Sequence, residues 1–250
     1  MKSRAFSFHA AALVLLSCLV VGLTITCLVL AHQSFPTPSP PRGMPSILFL
    51  GDSNTEYASQ PGNMGFQVLF AQDYVRRADT INRGCAGWTT TTWNHHRQAL
   101  VDEWRIKPPR LVVIFLGTND AITLGSLRVS LHKYKFNVAK LVQTFQTEWG
   151  SRILLATALP VDDNVTKLER GTHTNAQAGE YAGVMREMGH DLHVPVVDLW
   201  TPLQPNVSTI FRDGLHLNVA GNIAVYTLLK QGIATAYPDL IPKNMQETYK

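Results

Sequence analysis

Only three cysteines occur in the 250 residues, and Cys18 and Cys27 both fall inside one apolar stretch near the start. Cys85 is left alone in the remainder, so no disulfide can form within it. Acidic residues are missing altogether from residues 1–42, which hold Lys2, Arg4 and Arg42. The overall charge of +4 therefore overstates how basic the rest of the chain is. Beyond residue 42, 19 Lys and Arg face 18 Asp and Glu, a net of +1. There is no basic run and no interleaving of basic with aromatic residues, which argues against a nucleic-acid partner. No G-x-S-x-G occurs, so the sharp nucleophile elbow of the α/β-hydrolases is excluded. No Gly-rich Walker-type loop is present, which leaves the Gly117 turn a poor phosphate site. His95-His96 lacks a nearby carboxylate and His190-x-x-His193 sits at a helix end, so neither forms a zinc pattern and no metal is expected.

What is present begins with a membrane-type segment. Lys2 and Arg4 precede an uncharged apolar run over residues 10–31, long enough to cross a bilayer as a helix. Its length favours an uncleaved signal-anchor; the alternative is a cleaved signal peptide ending near Val29-Leu30-Ala31, with the rest secreted. The basic flank places residues 1–9 in the cytoplasm and the remainder in the lumen or outside the cell. Residues 32–44 contain Pro36, Pro38, Pro40 and Pro41 and read as an extended linker. The sequons Asn164-Val165-Thr166 and Asn206-Val207-Ser208, both expected in loops, fit that location as N-glycosylation sites.

Residues 45–250 alternate short apolar runs with longer amphipathic stretches. Strands are predicted at 46–50, 78–83, 110–116, 152–158 and 194–198, and helices at 64–76, 94–105, 127–148, 174–190 and 218–235. The uninterrupted runs at 111–116 and 153–156 read as strands buried on both faces, as in a parallel sheet. The alternation implies a three-layer α/β/α sandwich on a mainly parallel, five-stranded, flavodoxin-like sheet. No internal repeat and no second domain is visible, and the polar tail from Tyr237 is expected to pack over the surface.

Ligands of such sheets bind at the carboxyl ends of the strands. Ser53, Gly87 and Asn119 each fall just past a predicted strand, so the fold gathers them on one edge. Ser53 alone reads more readily as a helix N-cap than as a catalyst, because a free hydroxyl needs a base to become a nucleophile. His216 offers one: Asp213 stands three residues earlier across Gly214, a spacing that brings a carboxylate to one imidazole nitrogen and leaves the other for Ser53. Asn119 and Gly87 would donate hydrogen bonds to an oxyanion, with Gly84 an alternative to Gly87. Asn119 reads otherwise as a turn residue and Asp120 as a cap of the next helix.

Four blocks, GDSNTE at 51–56, NRGCAGWTT at 82–90, FLGTNDA at 115–121 and DGLHLN at 213–218, together resemble the SGNH (GDSL) hydrolases over about residues 46–250. Tyr237-Pro238-Asp239, Pro242 to Gln246 and Thr174-Asn175 resemble the isoamyl-acetate-hydrolysing esterase subgroup in particular. The resemblance implies Ser53 as nucleophile, His216 as base and Asp213 as its orienting acid. It also implies an oxyanion hole made of the Ser53 N–H, the Gly87 N–H and the Asn119 amide, and a mechanism without cofactor. One departure is Asn54, polar where the family's name-giving motif is aliphatic; it is expected to alter local packing and leave the mechanism untouched.

The expected function is a serine esterase for small, short-acyl carboxylic esters, acetates foremost. A lumenal carbohydrate O-acetylesterase or a lysophospholipase-type lipid esterase is the alternative within enzymology. An inactive binding module on the same fold is the alternative outside it; its signature, loss of Ser53, Asp213 or His216, is absent.

Overall fold

A computed structural model of the chain describes residues 43–125, 127–169 and 173–248. The apolar run 10–31, its flank, and the linker up to residue 42 lie outside the described residues. Among the described residues no helix is long and apolar enough to cross a membrane.

Gly43–Lys250 forms one compact unit. Its strands are β1 (Ser46–Gly51), β2 (Asp79–Gly84), β3 (Leu111–Phe115), β4 (Arg152–Ala156) and β5 (Val196–Val197). They form one sheet in the order β2-β1-β3-β4-β5, and every ladder is parallel. The longer helices are α2 (Phe66–Asp73), α3 (Thr90–Glu103), α4 (Leu131–Trp149), α6 (Asn175–Asp191) and α9 (Val219–Ala236). Short ones are α1 (Ser53–Glu56), α5 (Asp163–Glu169), α7 (Trp200–Leu203) and α8 (Val207–Ile210).

Side chains alternate across a strand, and the two faces of the sheet bury different sets. Ile47, Phe49, Leu111, Val113 and Phe115 join Phe66 and Phe70 of α2 and Val225, Leu229 and Ile233 of α9. Leu48, Leu50, Val112 and Ile114 join Leu100 and Val101 of α3, Val138, Leu141 and Phe145 of α4, and Met185 and Met188 of α6. That is the three-layer sandwich, with apolar side chains on both faces of β1 and β3.

Several boundaries moved for local reasons. The predicted helix 94–105 starts at Thr90, because Thr89 caps it through a side chain that accepts from the Thr92 N–H. Strand 152–158 stops at Ala156; the Thr157 N–H still reaches the Val197 carbonyl at 3.1 Å, and its hydroxyl accepts the Leu199 and Trp200 N–H groups. Strand 194–198 shrinks to two residues. The weak run at 78–83 is a full six-residue edge strand. The tail does more than pack over a surface. Asp239 pairs with Arg110 and Arg152 just before β3 and at the start of β4, Leu240 is buried, and its carbonyl accepts the Tyr74 hydroxyl at 2.8 Å. It closes the amino edge of the sheet.

The carboxyl edge is left for chemistry. With this strand order, β2 and β3 leave β1 on opposite sides, so the topological switch lies at β1.

Candidate active site

β1 carries the chain through the core and delivers Ser53 one residue beyond Asp52. Asp52, rather than Ser53, is the N-cap of α1: its Oδ1 accepts the Asn54 N–H at 2.9 Å. Ser53 is therefore the first helical residue, at the position where a backbone N–H has no intrahelical acceptor. Its hydroxyl lies 3.0 Å from His216 Nε2. His216 Nδ1 lies 2.6 Å from Asp213 Oδ2, so the three side chains form one hydrogen-bonded chain.

The Asp213–His216 turn is held from several directions. Asp213 Oδ1 accepts the backbone N–H groups of His216 (2.7 Å) and Leu215 (3.1 Å). An isolated antiparallel bridge joins Phe211 to Leu217, and the Arg212 N–H reaches the His216 carbonyl at 2.9 Å. Burial works against ionisation of Asp213, but the His216 ring and the two N–H groups outweigh it and hold the carboxyl below its ordinary range. A carboxylate so placed fixes the proton on Nδ1 and turns Nε2 toward Ser53.

Asn54 is not a bystander. It is buried, with only 2 % of the residue exposed. Its Oδ1 accepts the Leu217 N–H at 3.2 Å and its Nδ2 donates to the Leu215 carbonyl at 3.4 Å. The polar departure from the aliphatic motif thus holds the backbone on both sides of His216. The expectation of altered packing alone is corrected: the amide supplies hydrogen bonds an aliphatic chain cannot. Tyr57 completes this side, with its ring edge-on to His216 at 5.3 Å and the Arg212 guanidinium 4.7 Å above it.

The second side of Ser53 is the segment after β2. Gly84 pairs with Gly51 in the sheet and its N–H is taken by Asn82 Oδ1 at 2.8 Å. A Cβ there would lie 2.0 Å from the Glu56 nitrogen, so Gly84 serves close packing of α1 on β2. Gly87 differs. It is exposed, has φ +77°, and meets nothing within 4 Å of where a Cβ would stand. Among the described residues no protein acceptor takes its N–H or that of Ser53. Of the two glycines, only Gly87 has a donor to offer.

Asn119 reaches this segment from the loop after β3. Its Nδ2 donates to the Trp88 carbonyl at 2.9 Å, which uses one amide hydrogen and leaves the other. The side chain ties two loops together and does not stabilise its own. Asp120 is corrected likewise. It caps α3, which precedes it in the chain, and not the helix that follows: its carboxylate accepts the Thr90 N–H at 3.1 Å and the Thr90 hydroxyl at 2.5 Å. Asp120 and Asp52 are both buried under the site. Burial pushes Asp120 up to about 6. Burial, with a smaller contribution from Asp120, pushes Asp52 up to about 7 despite the Asn54 N–H.

The remaining candidates make none of the hydrogen bonds described above. Asn164 and Asn206 are exposed, but Asn164 is in the first turn of α5 and Asn206 ends a 3-10 turn (Gln204–Asn206), not in irregular loops. His95 and His96 are exposed on α3, with His96 stacked on Trp88. Sequence reasoning missed Glu56, Tyr57 and the buried acid pair. Of these, Asp52 and Glu56 carried a signal as members of the GDSNTE block and Asp120 as a member of FLGTNDA, while Tyr57 carried none.

Residues 49–223 match the GDSL-like Lipase/Acylhydrolase family. Among curated proteins, an isoamyl acetate-hydrolyzing esterase 1 homolog of Rattus norvegicus is 29 % identical over 225 residues, 82 % of this chain and 89 % of the relative. The isoamyl acetate-hydrolyzing esterase of Saccharomyces cerevisiae is 28 % identical over 82 % of this chain and 92 % of its own length. Among solved structures, a lipase/acylhydrolase from Enterococcus faecalis superimposes with TM-score 0.62 at 21 % identity, covering 83 % of this chain and all of its own. An acetyl xylan esterase gives TM-score 0.63 at 20 % identity over 75 % of this chain and 99 % of its own. These two share the fold. With 175 of its 250 residues matched, the chain belongs to the GDSL-like lipase/acylhydrolase family and is a carboxylic ester hydrolase.

Proposed function

We propose that this enzyme hydrolyses small carboxylic esters with short acyl groups, acetates foremost, through Ser53, His216 and Asp213. The observation that carries the reading is the hydrogen-bonded chain from Ser53 Oγ to His216 Nε2 and from Nδ1 to Asp213. Its relatives named for isoamyl acetate support the acetate preference.

In the first half-reaction Ser53 Oγ attacks the ester carbonyl while His216 Nε2 takes its proton. Negative charge builds on the carbonyl oxygen, which the Ser53 N–H, the Gly87 N–H and the free Asn119 amide hydrogen receive. The carbonyl re-forms, the C–O bond to the alcohol breaks, and His216 returns its proton to the departing oxygen. Water then attacks the acyl-serine with His216 again as base, and the acid leaves as Ser53 regains its proton. Asp213 stays ionised throughout and orients the imidazolium.

A fluorescent organophosphonate should label the wild-type protein at Ser53, and Ser53→Ala should lose labelling and about 10³-fold or more of kcat. Full activity in that variant would end the reading. Turnover across esters of graded acyl length checks the substrate class; a peak at long chains would replace short esters by lipids. We also propose that residues 10–31 anchor the enzyme with its catalytic unit lumenal or extracellular. A mature N-terminus beginning after residue 31 would show cleavage instead.

A further inference from the structure

The mechanism above leaves Glu56 without a task. It closes α1, three residues past Ser53, and its side chain is exposed. Instead of extending into water, the carboxylate turns to a segment 30 residues away, where Oε2 accepts the Ala86 N–H at 2.5 Å. Ala86 directly precedes Gly87.

The Cys85–Trp88 segment belongs to no helix or strand. Neighbouring atoms do not wedge Gly87 in place, since nothing stands within 4 Å of its Cβ position. Its direction depends on hydrogen bonds. Cys85 N–H reaches the Gly51 carbonyl at 3.2 Å, the Trp88 N–H closes a turn on the Cys85 carbonyl at 3.1 Å, and the Trp88 carbonyl accepts from Asn119. Between these two ends, Ala86 is gripped by Glu56. Backbone at φ +77° is open to glycine in several alternative conformations, so the Ala86–Gly87 peptide at the centre of this turn has freedom to rotate unless the peptide before it is held.

We propose that Glu56 is a positioning residue for the oxyanion hole: its carboxylate holds the Cys85–Ala86 peptide, which adjoins the peptide carrying the Gly87 N–H, so that the turn presents that N–H where the Ser53 adduct forms. The nucleophile and this donor are then set by the same four-residue helix. A carboxylate here has a cost as well. Its charge opposes a developing oxyanion, just as it adds to burial in pushing the neighbouring Cys85 thiol up. Glutamine keeps the acceptor oxygen and removes the charge.

The inference rests on the serine-esterase reading, and one experiment separates the two. Wild type, Glu56→Ala and Glu56→Gln are compared for kcat and KM on p-nitrophenyl acetate and for affinity toward a trifluoromethyl ketone. Ser53 Oγ adds to that ketone, the carbonyl π bond becomes an alkoxide, and His216 takes the serine proton, so binding reports the oxyanion hole directly. Glu56→Ala should lose about 10–100-fold in kcat and the same factor in ketone affinity, with KM within about threefold and an unchanged melting temperature. Glu56→Gln should match or exceed wild-type kcat. A Glu56→Ala enzyme within about threefold of wild-type kcat, or one whose loss is not mirrored in ketone affinity, overturns the proposal. So does a glutamine variant as impaired as the alanine one. Wild type that neither hydrolyses the ester nor binds the ketone refutes the esterase reading itself.

Discussion

The two sides of Ser53 are built differently. On the base side His216, Leu215 and Leu217 are buried, and the turn is held by Asp213, by Asn54 and by the Phe211–Leu217 bridge. On the other side Ala86 and Gly87 are exposed, and the segment depends on Glu56, Asn119 and two backbone bonds. In the proposed mechanism the base must keep one tautomer and one orientation through every step, and redundancy serves that. The proposed oxyanion donors must admit a substrate carbonyl, which requires open space beside Gly87. Loss of one contact should therefore be felt locally on the oxyanion side and cooperatively on the base side.

The largest effect should come from Asp213→Asn. The amide can still accept the backbone N–H groups, but it favours the wrong imidazole tautomer, and kcat should fall by about 10⁴-fold with the fold intact by circular dichroism. A loss under about tenfold would mean that the turn, not the charge, holds His216. Next is Asn119→Ala, expected to cost about 10²–10³ in kcat with little change in KM. A third variant probes the redundancy. Asn54→Leu restores the aliphatic motif but strips hydrogen bonds from buried backbone groups, so chemical denaturation should show a loss of about 1–3 kcal/mol. Its kcat should fall less than that of Asn119→Ala, because Asp213 and the bridge remain.

The smallest effect on rate, and the clearest on pH, involves Asp52. Its folded value near 7 is raised above the ordinary 3.8, so between those limits the folded state holds a proton that the unfolded chain has released. Stability should fall as pH rises from about 4 to about 7, by on the order of 4 kcal/mol, and then level off. Urea melts of Asp52→Asn should show a shallower slope over that window, with the residue due to Asp120, whose value is raised to about 6. Asp213 acts in the opposite sense. Its value is lowered, so its contribution is whole above the ordinary carboxylate range and fades only as pH falls below it. An identical slope in the Asp52 variant would show that this acid is ionised in the folded protein.

Much of this arrangement was legible in the chain. The uninterrupted apolar runs gave β3 and β4 because a strand buried on both faces needs no polar alternation. Ser53, Asp213, His216 and Asn119 stood out because their spacing made sense only if strand ends converge. β2 was faint: an edge strand with half-exposed residues such as Asp79, Asn82 and Arg83 lacks an apolar signature. The threonines at 89–92 masked the start of α3, since β-branched residues are poor helix formers until a cap is supplied. What could not be read were contacts between loops. That Asn54 reaches Leu217, Asn119 reaches Trp88 and Glu56 reaches Ala86 depends on three-dimensional approach across separations of 163, 31 and 30 residues.

The strand order also bears on how this molecule behaves in a crowd. A parallel sheet ends in two open margins, each a row of unpaired peptide groups able to recruit a strand from another molecule. Here one margin, β5, is only two residues long, too short to template much pairing. The other, β2, carries Asp79 and Arg83 and has its Thr80 carbonyl occupied by the Gln67 side chain at 3.0 Å. Charge, brevity and a blocked carbonyl make both margins poor seeds for self-association. The same polar character that hid β2 from a hydrophobicity reading is what guards the sheet against aggregation.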